Sequence, residues 1–238
     1  MLDTCTRIAL SPLLTYQALR VRRTAQSLPE ARGPRSGTFG TGPALRLAII
    51  GDSSAAGVGV DHQSQALAGQ LTDLLGVQFD VSWHLDALTG ATTRSTLHRL
   101  AQAQPKPLDV IVTALGTNDV TRLIPARLWR HQHRALLDRL RDLYQPRHIY
   151  LAGFPPIDRF PLLPEPLRWT LGRHARKLES QLLADVHGRC DITYVPFDLD
   201  PDPALMAPDG FHPSARLYHL WAKEMASRII SDWPSYPS

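Results

Sequence analysis

Two cysteines in 238 residues, Cys5 and Cys190, are too few for a disulfide framework or a thiolate zinc site, and both read as free thiols. The ten histidines show no His-Glu-x-x-His spacing. His131 and His133 flank Gln132 on a helix and read as surface residues, so no metal is expected. No apolar run approaches 18 residues, which excludes a membrane-spanning helix. Residues 8 to 19, IALSPLLTYQAL, make a poor signal-peptide core, because Pro12 interrupts them and arginines follow instead of preceding. A cytoplasmic location is the expectation. Internal repeats are absent, and the 20 prolines and 15 glycines follow no period.

Charge of one sign is scarce except at one end. Residues 1 to 46 hold seven arginines against Asp3 and Glu30, whereas residues 47 to 238 hold 19 basic and 20 acidic side chains. The body is therefore almost neutral and lacks the basic stripe that a nucleic-acid reader carries, so no nucleic-acid partner is expected. The arm, residues 1 to 44, reads as a helical segment packed on the domain followed by an extended connection rich in Gly and Pro from 28 to 43. The alternative for LLTYQALRVRR is a weak contact with an anionic membrane surface, leucines down and arginines up.

With 43% hydrophobic residues, the remainder, 45 to 238, can bury one core. From residue 45 short apolar runs alternate with segments of helical spacing. LRLAII (45 to 50), FDVSWHL (79 to 85), DVIVTAL (109 to 115), HIYLAGF (148 to 154) and ITYVPF (192 to 197) are the strands. Several are apolar at consecutive positions, as strands buried on both faces are. Between them Leu67, Leu71 and Leu75 share a helical face, as do Leu136, Leu140 and Leu143. Leu171, Ala175, Leu178, Leu182 and Val186 form a third face, and Leu217, Trp221, Met225 and Ile229 a fourth. Five strands alternating with helices predict an α/β fold with a parallel sheet covered on both sides.

Ligands in such sheets bind beyond the carboxyl ends of the strands. Gly51-Asp52-Ser53-Ser54 follows the first strand, Gly90 the second, Gly116-Thr117-Asn118-Asp119 the third, and Asp209-Gly210-Phe211-His212 the fifth at a distance. Acyl transfer needs a hydroxyl nucleophile, an imidazole to take its proton, a carboxylate to orient the imidazole and donors for the oxyanion. All are present: Ser53, His212, Asp209 three residues before it, and the uncharged amide of Asn118. A phosphate cradle fits poorly, since Gly57 and Gly59 supply only the start of a Gly-x-Gly-x-x-Gly and no lysine is near. A flavin- or nucleotide-binding module is thereby disfavoured, and no cofactor is expected.

GDSS (51 to 54), Gly90, GTND (116 to 119) and DGFH (209 to 212) resemble, in order, the four motif blocks of the SGNH or GDSL family of serine esterases and lipases, over roughly residues 45 to 230. The resemblance implies Ser53 as nucleophile and His212 as base with Asp209 as its partner. It implies an oxyanion hole of the Ser53 and Gly90 N–H groups and the Asn118 side chain. It also implies a three-layer, flavodoxin-like α/β/α fold with strand order 2-1-3-4-5, and hence a carboxylic ester hydrolase. Ser54 stands where the family often has Leu or Ile and is expected to cap or pack locally. The block is not Gly-x-Ser-x-Gly, so no nucleophile elbow is expected.

The stretch 153 to 169, GFPPIDRFPLLPEPLRW, reads either as a wall of the acyl pocket with Ile157 and Phe160, joined by Asp52 and Phe211, or as a proline-braced connection with no substrate contact. The proline-rich segment and the arm look like a bacterial subgroup of esterases on short acyl chains. Lysophospholipase, thioesterase and carbohydrate deacetylase chemistry would use the same residues, and a catalytically silent binding domain is the rival of another class.

Overall fold

A computed structural model of the chain describes residues 2–197 and 202–235. Its architecture follows from alternation along strands that are apolar on both faces. In β2 (Ala44–Gly51), Leu45, Leu47 and Ile49 point to one side of the sheet, while Ala48 and Ile50 point to the other. β4 (Val110–Ala114) divides likewise, with Val110 and Val112 opposite Ile111, and β5 (His148–Ala152) places Tyr150 opposite Ile149 and Leu151. Each strand thus needs a helical layer on either side.

One layer is α2 (Leu67–Leu75) with α7 (Ala215–Asp232), whose Leu67, Leu71, Leu75, Tyr218, Trp221, Met225 and Ile229 meet the Leu47 face. The other contains α3 (Thr93–Leu100), α5 (Ala126–Tyr144) and α6 (Leu167–Val186), which bury Leu100, Leu136, Leu140, Leu143, Leu171, Leu178 and Leu182 against the Ile50 face. A short helix, α4 (Thr117–Thr121), follows β4 directly.

The sheet runs β1-β3-β2-β4-β5-β6, where β3 is Asp80–Ala87 and β6 is Ile192–Val195. Its five parallel strands carry the 2-1-3-4-5 order. The sixth strand, β1 (Ser36–Phe39), lies within the extended connection over 28 to 43 and corrects the expectation of a five-stranded sheet. It pairs antiparallel with the outer edge of β3, Ser36 opposite His84 and Phe39 opposite Val81. All four of its residues are exposed, so no hydrophobic pattern marks it. Backbone pairing to an otherwise open edge holds it instead.

The arm begins with α1 (Leu2–Thr24), which reaches α6: Leu14 is buried, and the Gln17 side chain donates to the Glu165 carbonyl at 2.6 Å and accepts from the Leu167 N–H at 3.2 Å. Cys190 is an exposed free thiol; the side chain of Cys5 lies outside the described residues. Among the described residues no helix is long and apolar enough to cross a membrane.

The surface reading of His133 is also corrected. In α5 the inward stripe runs Ala126, Trp129, His133, Leu136 and Leu140, and His133 lies one turn after Trp129, stacked on its ring at 5.0 Å. His131 is exposed. Burial pushes the His133 imidazole down to about 4, against the opposite pull of Asp185. Free imidazole titrates near 6.5, so between these values the unfolded chain binds a proton that the folded protein does not. Stability therefore rises with pH through that window and is lost as the pH falls. Between about pH 7.5 and pH 5 the wild type is expected to lose about 2 kcal/mol more unfolding free energy than His133→Leu. Urea titrations at the two pH values measure this, and equal losses would show that His133 does not titrate on unfolding.

Candidate active site

The end of β2 determines where the first block sits. A Cβ on Gly51 would lie 2.3 Å from Ala55 Cβ and 2.7 Å from the Ala114 carbonyl, so only glycine lets the strand end pass between them. The next N–H, that of Asp52, bonds Ala114 O at 3.1 Å and locks β2 to the end of β4. The chain then coils, Ala56 N–H to Asp52 O at 2.9 Å and Val58 N–H to Ser53 O at 3.0 Å. This turn raises Ser53 above the carboxyl edge of the sheet.

His212 arrives from the far end of the sequence. It is held by a second close approach: a Cβ on Gly59, at φ +108°, would stand 2.3 Å from the Pro213 carbonyl. The buried Tyr218 of α7 adds a hydroxyl bond to Val58 O at 2.8 Å. In the resulting geometry His212 Nε2 lies 2.9 Å from Ser53 Oγ, and its Nδ1 lies 2.5 Å from Asp209 Oδ2. The other carboxylate oxygen, Oδ1, accepts the backbone N–H groups of Phe211 and His212, each at 3.0 Å. Burial raises the Asp209 carboxyl, but its bonds to the His212 ring and to the two backbone N–H groups outweigh this and hold it below the usual range. A hydroxyl in line with an imidazole and an ionised carboxylate can pass its proton to the ring and become nucleophilic.

Asn118, at the start of α4, points its Nδ2 at the Ala91 carbonyl (3.0 Å) and at Asp52 Oδ2 (3.3 Å). Asp52 is itself almost fully buried and accepts the Ser54 N–H at 3.0 Å and hydroxyl at 2.8 Å on its other oxygen. Ser54 thus packs locally. Burial pushes the Asp52 carboxyl up to about 6, against the lowering effect of the Ser54 bonds and the His212 ring, and Asp119 pushes the same way as burial.

Gly90 follows β3 with φ +79°, and its carbonyl accepts from Arg122 at 3.1 Å. It does not line the cavity above Ser53. That cavity, about 760 Å³ including the part open to solvent, is bounded by Ser53, Asp52, Asn118 and His212 on its polar side. Its apolar wall includes Phe160, Phe197, Met206, Phe211 and Trp221. Phe160 meets Phe211 edge to face at 5.1 Å, and Phe211 meets the His212 ring at 5.2 Å. Ile157, expected in this wall, is turned instead into the core beneath the loop and borders a separate cavity beside α6. It sits in a single turn of 3-10 helix, Ile157–Arg159, which presents Phe160 and Ile157 to different sides.

Sequence reading assigned no role to Asp119, which the structure places at the root of the site. Completely buried, it accepts the Thr93 N–H at 3.0 Å and hydroxyl at 2.9 Å, tying α4 to the first turn of α3. Its one signal was the position beside Asn118. Among the described residues no group of three or more His, Cys, Asp or Glu could hold a metal ion.

A parallel α/β sheet with a Ser-His-Asp chain at its carboxyl edge, open to an apolar cavity, is the framework of a serine hydrolase. The chain belongs to the GDSL-like lipase/acylhydrolase family, whose model it matches over residues 49–220. It is a carboxylic ester hydrolase. Among solved structures, the psychrotrophic esterase EstA from Pseudoalteromonas sp. is 20% identical with a TM-score of 0.59, over 80% of this chain and 98% of its own. A lipolytic G-D-S-L family protein from Veillonella parvula is 15% identical with a TM-score of 0.60, over 79% and 97%. An acetylxylan esterase from Geobacillus stearothermophilus is 19% identical with a TM-score of 0.56, over 79% and 95%. No curated protein matches.

The Gly59 contact makes a measurable prediction. Gly59→Ala combines a strained φ with a clash against Pro213 O and is expected to lose about 3 kcal/mol of unfolding free energy. Gly188→Ala has a similar φ, +74°, but open space, and is expected to lose about 1 kcal/mol. Urea titration compares them, and equal losses would show that the close approach to Pro213 contributes nothing.

Proposed function

We propose that this chain hydrolyses esters of short-chain carboxylic acids through an acyl-enzyme on Ser53. The observation that carries the reading is the continuous hydrogen-bonded line from Asp209 through His212 to Ser53, ending at the mouth of an apolar cavity. His212 Nε2 takes the hydroxyl proton as Ser53 Oγ attacks the ester carbonyl carbon, and Asp209 stabilises the imidazolium that forms. The C–O bond to the leaving group breaks, and His212 returns the proton to the departing alkoxide, releasing the alcohol. A water molecule deprotonated by His212 then attacks the acyl carbon, the acid leaves, and the proton goes back to Ser53. No electron changes hands, so no cofactor enters.

The negative oxygen of each tetrahedral intermediate is assigned to the Ser53 N–H group and Asn118 Nδ2, which border the cavity. Of the two amide contacts, the 3.0 Å bond to Ala91 fixes the Asn118 plane, and the longer 3.3 Å contact with Asp52 is the one exchanged for the oxyanion. Phe160 and Phe211 hold the acyl chain, and Asp52 acts through Asn118 as a positioning residue.

Hydrolysis of p-nitrophenyl acetate, butyrate and decanoate tests the assignment. Butyrate is expected to exceed decanoate. Ser53→Ala is expected to lower kcat by at least about 10⁴-fold and Asp209→Asn by about 10⁴-fold. Asn118→Ala is expected to lower it by about 10²- to 10³-fold with little change in KM. Equal rates for wild type and Ser53→Ala would remove Ser53 from the mechanism, no turnover of any ester would leave a silent binding domain, and a maximum at decanoate would overturn the short-chain assignment.

A further inference from the structure

The exposed surface of α1 carries large apolar side chains that docking on the domain does not require. Its inner stripe is Leu10, Leu14, Gln17 and Val21, at i, i+4, i+7 and i+11, one side of a helix. Leu14 is 6% exposed, Leu10 and Val21 pack on the same core, and Gln17 grips the backbone at Glu165 and Leu167. That stripe accounts for the docking of α1. A second row, at i, i+3 and i+6 along one flank of the helix, carries Leu13, Tyr16 and Leu19, exposed by 43%, 61% and 49%. They are three of the nine large apolar side chains exposed among the described residues, gathered within seven positions. An exposed apolar row beside the docked stripe is a pattern that docking on the domain alone does not explain.

The charge beside this patch specifies what covers it. Arg20, Arg22 and Arg23 follow Leu19 directly, all exposed, and no salt bridge engages them among the described residues. From residue 4 to residue 29 there is no acidic side chain. Glu30, where acidity resumes, is already taken by Arg35 and Thr89. The α6 segment that Gln17 grips also presents Trp169, 40% exposed, with the Arg173 guanidinium 4.9 Å from its ring. Leu, Tyr and Trp beside exposed arginines match a bilayer interface, where the rings and leucines enter the headgroup boundary and the guanidinium groups meet lipid phosphates.

We propose that α1 docks this hydrolase on the surface of an anionic phospholipid bilayer through Leu13, Tyr16, Leu19 and the arginines at 20, 22 and 23. Gln17 holds the end of the loop whose Pro155, Pro156 and Phe160 wall the Ser53 cavity, so the docked helix brings that loop near the lipid. The proposal is independent of the catalytic assignment.

Cosedimentation of the full chain with vesicles of phosphatidylglycerol and of phosphatidylcholine, at low and high salt, tests it. The wild type is expected to bind phosphatidylglycerol vesicles and to be released by salt, with weak binding to phosphatidylcholine. Arg20→Gln/Arg22→Gln/Arg23→Gln is expected to weaken binding on the order of 100-fold. Leu13→Ser/Tyr16→Ser/Leu19→Ser is expected to weaken it at least about tenfold. Both variants should hydrolyse p-nitrophenyl butyrate in vesicle-free buffer at the wild-type rate, which shows that they are folded. Wild-type protein that ignores phosphatidylglycerol vesicles would overturn the proposal, and so would binding that survives the apolar substitutions. A wild-type dimer that those substitutions dissociate, without vesicle binding, would overturn it in favour of a second copy as the occupant.

Discussion

Two backbone contacts with no room for a side chain hold the site together. At Gly51 the end of β2 passes within van der Waals reach of the end of β4, and at Gly59 the turn that follows Ser53 rests on the carbonyl of Pro213. The first contact sets Ser53 relative to the strand that leads to Asn118. The second sets it relative to His212, more than 150 residues away in sequence. A hydroxyl–imidazole bond of 2.9 Å cannot hold two loops in register by its own strength, since a hydrogen bond nets only about 1 kcal/mol. The packing fixes the loops, and the bond is a consequence. The strand order reinforces this, because β2 lies between β3 and β4 and the chain reverses its direction of travel across the sheet there, opening a crevice above the strand ends.

What the sequence made legible was whatever recurs with a period or gathers at strand ends. The five parallel strands were visible because burial on both faces forces consecutive apolar residues. Four of the helices that pack on the sheet, α2, α5, α6 and α7, were visible because each has one wet side, whereas the short α3 and α4 carry too few turns to show a period. β1 was invisible, since its four residues are all exposed and it is held by backbone pairing, which has no side-chain signature. His133 was misread for a related reason: spacing between two histidines says that they point apart, but not which of them shares the face of Trp129. Ile157 was assigned by composition alone, and one turn of 3-10 helix sends it and Phe160 to different cavities. The supporting polar groups were the hardest to read. Asp119 and Thr93 meet across 26 residues with no motif linking them, and only the fold brings them into contact.

The two carboxylates nearest Ser53 show how the same side-chain chemistry is driven to opposite ends. Asp209 and Asp52 are both buried, and burial raises both. Asp209 receives the His212 ring and two backbone N–H groups, enough donors to keep it ionised in the pH range where the imidazole must accept and return a proton. Asp52 has the Ser54 N–H and hydroxyl on one oxygen and a long amide contact on the other, and it faces the negative charge of Asp119. Its proton is therefore held to about 6. Environments that push paired carboxyls apart assign them different work. An acceptor for an imidazolium must stay charged, which suits Asp209. A group that steadies a neutral amide needs only a lone pair, which Asp52 offers in either protonation state.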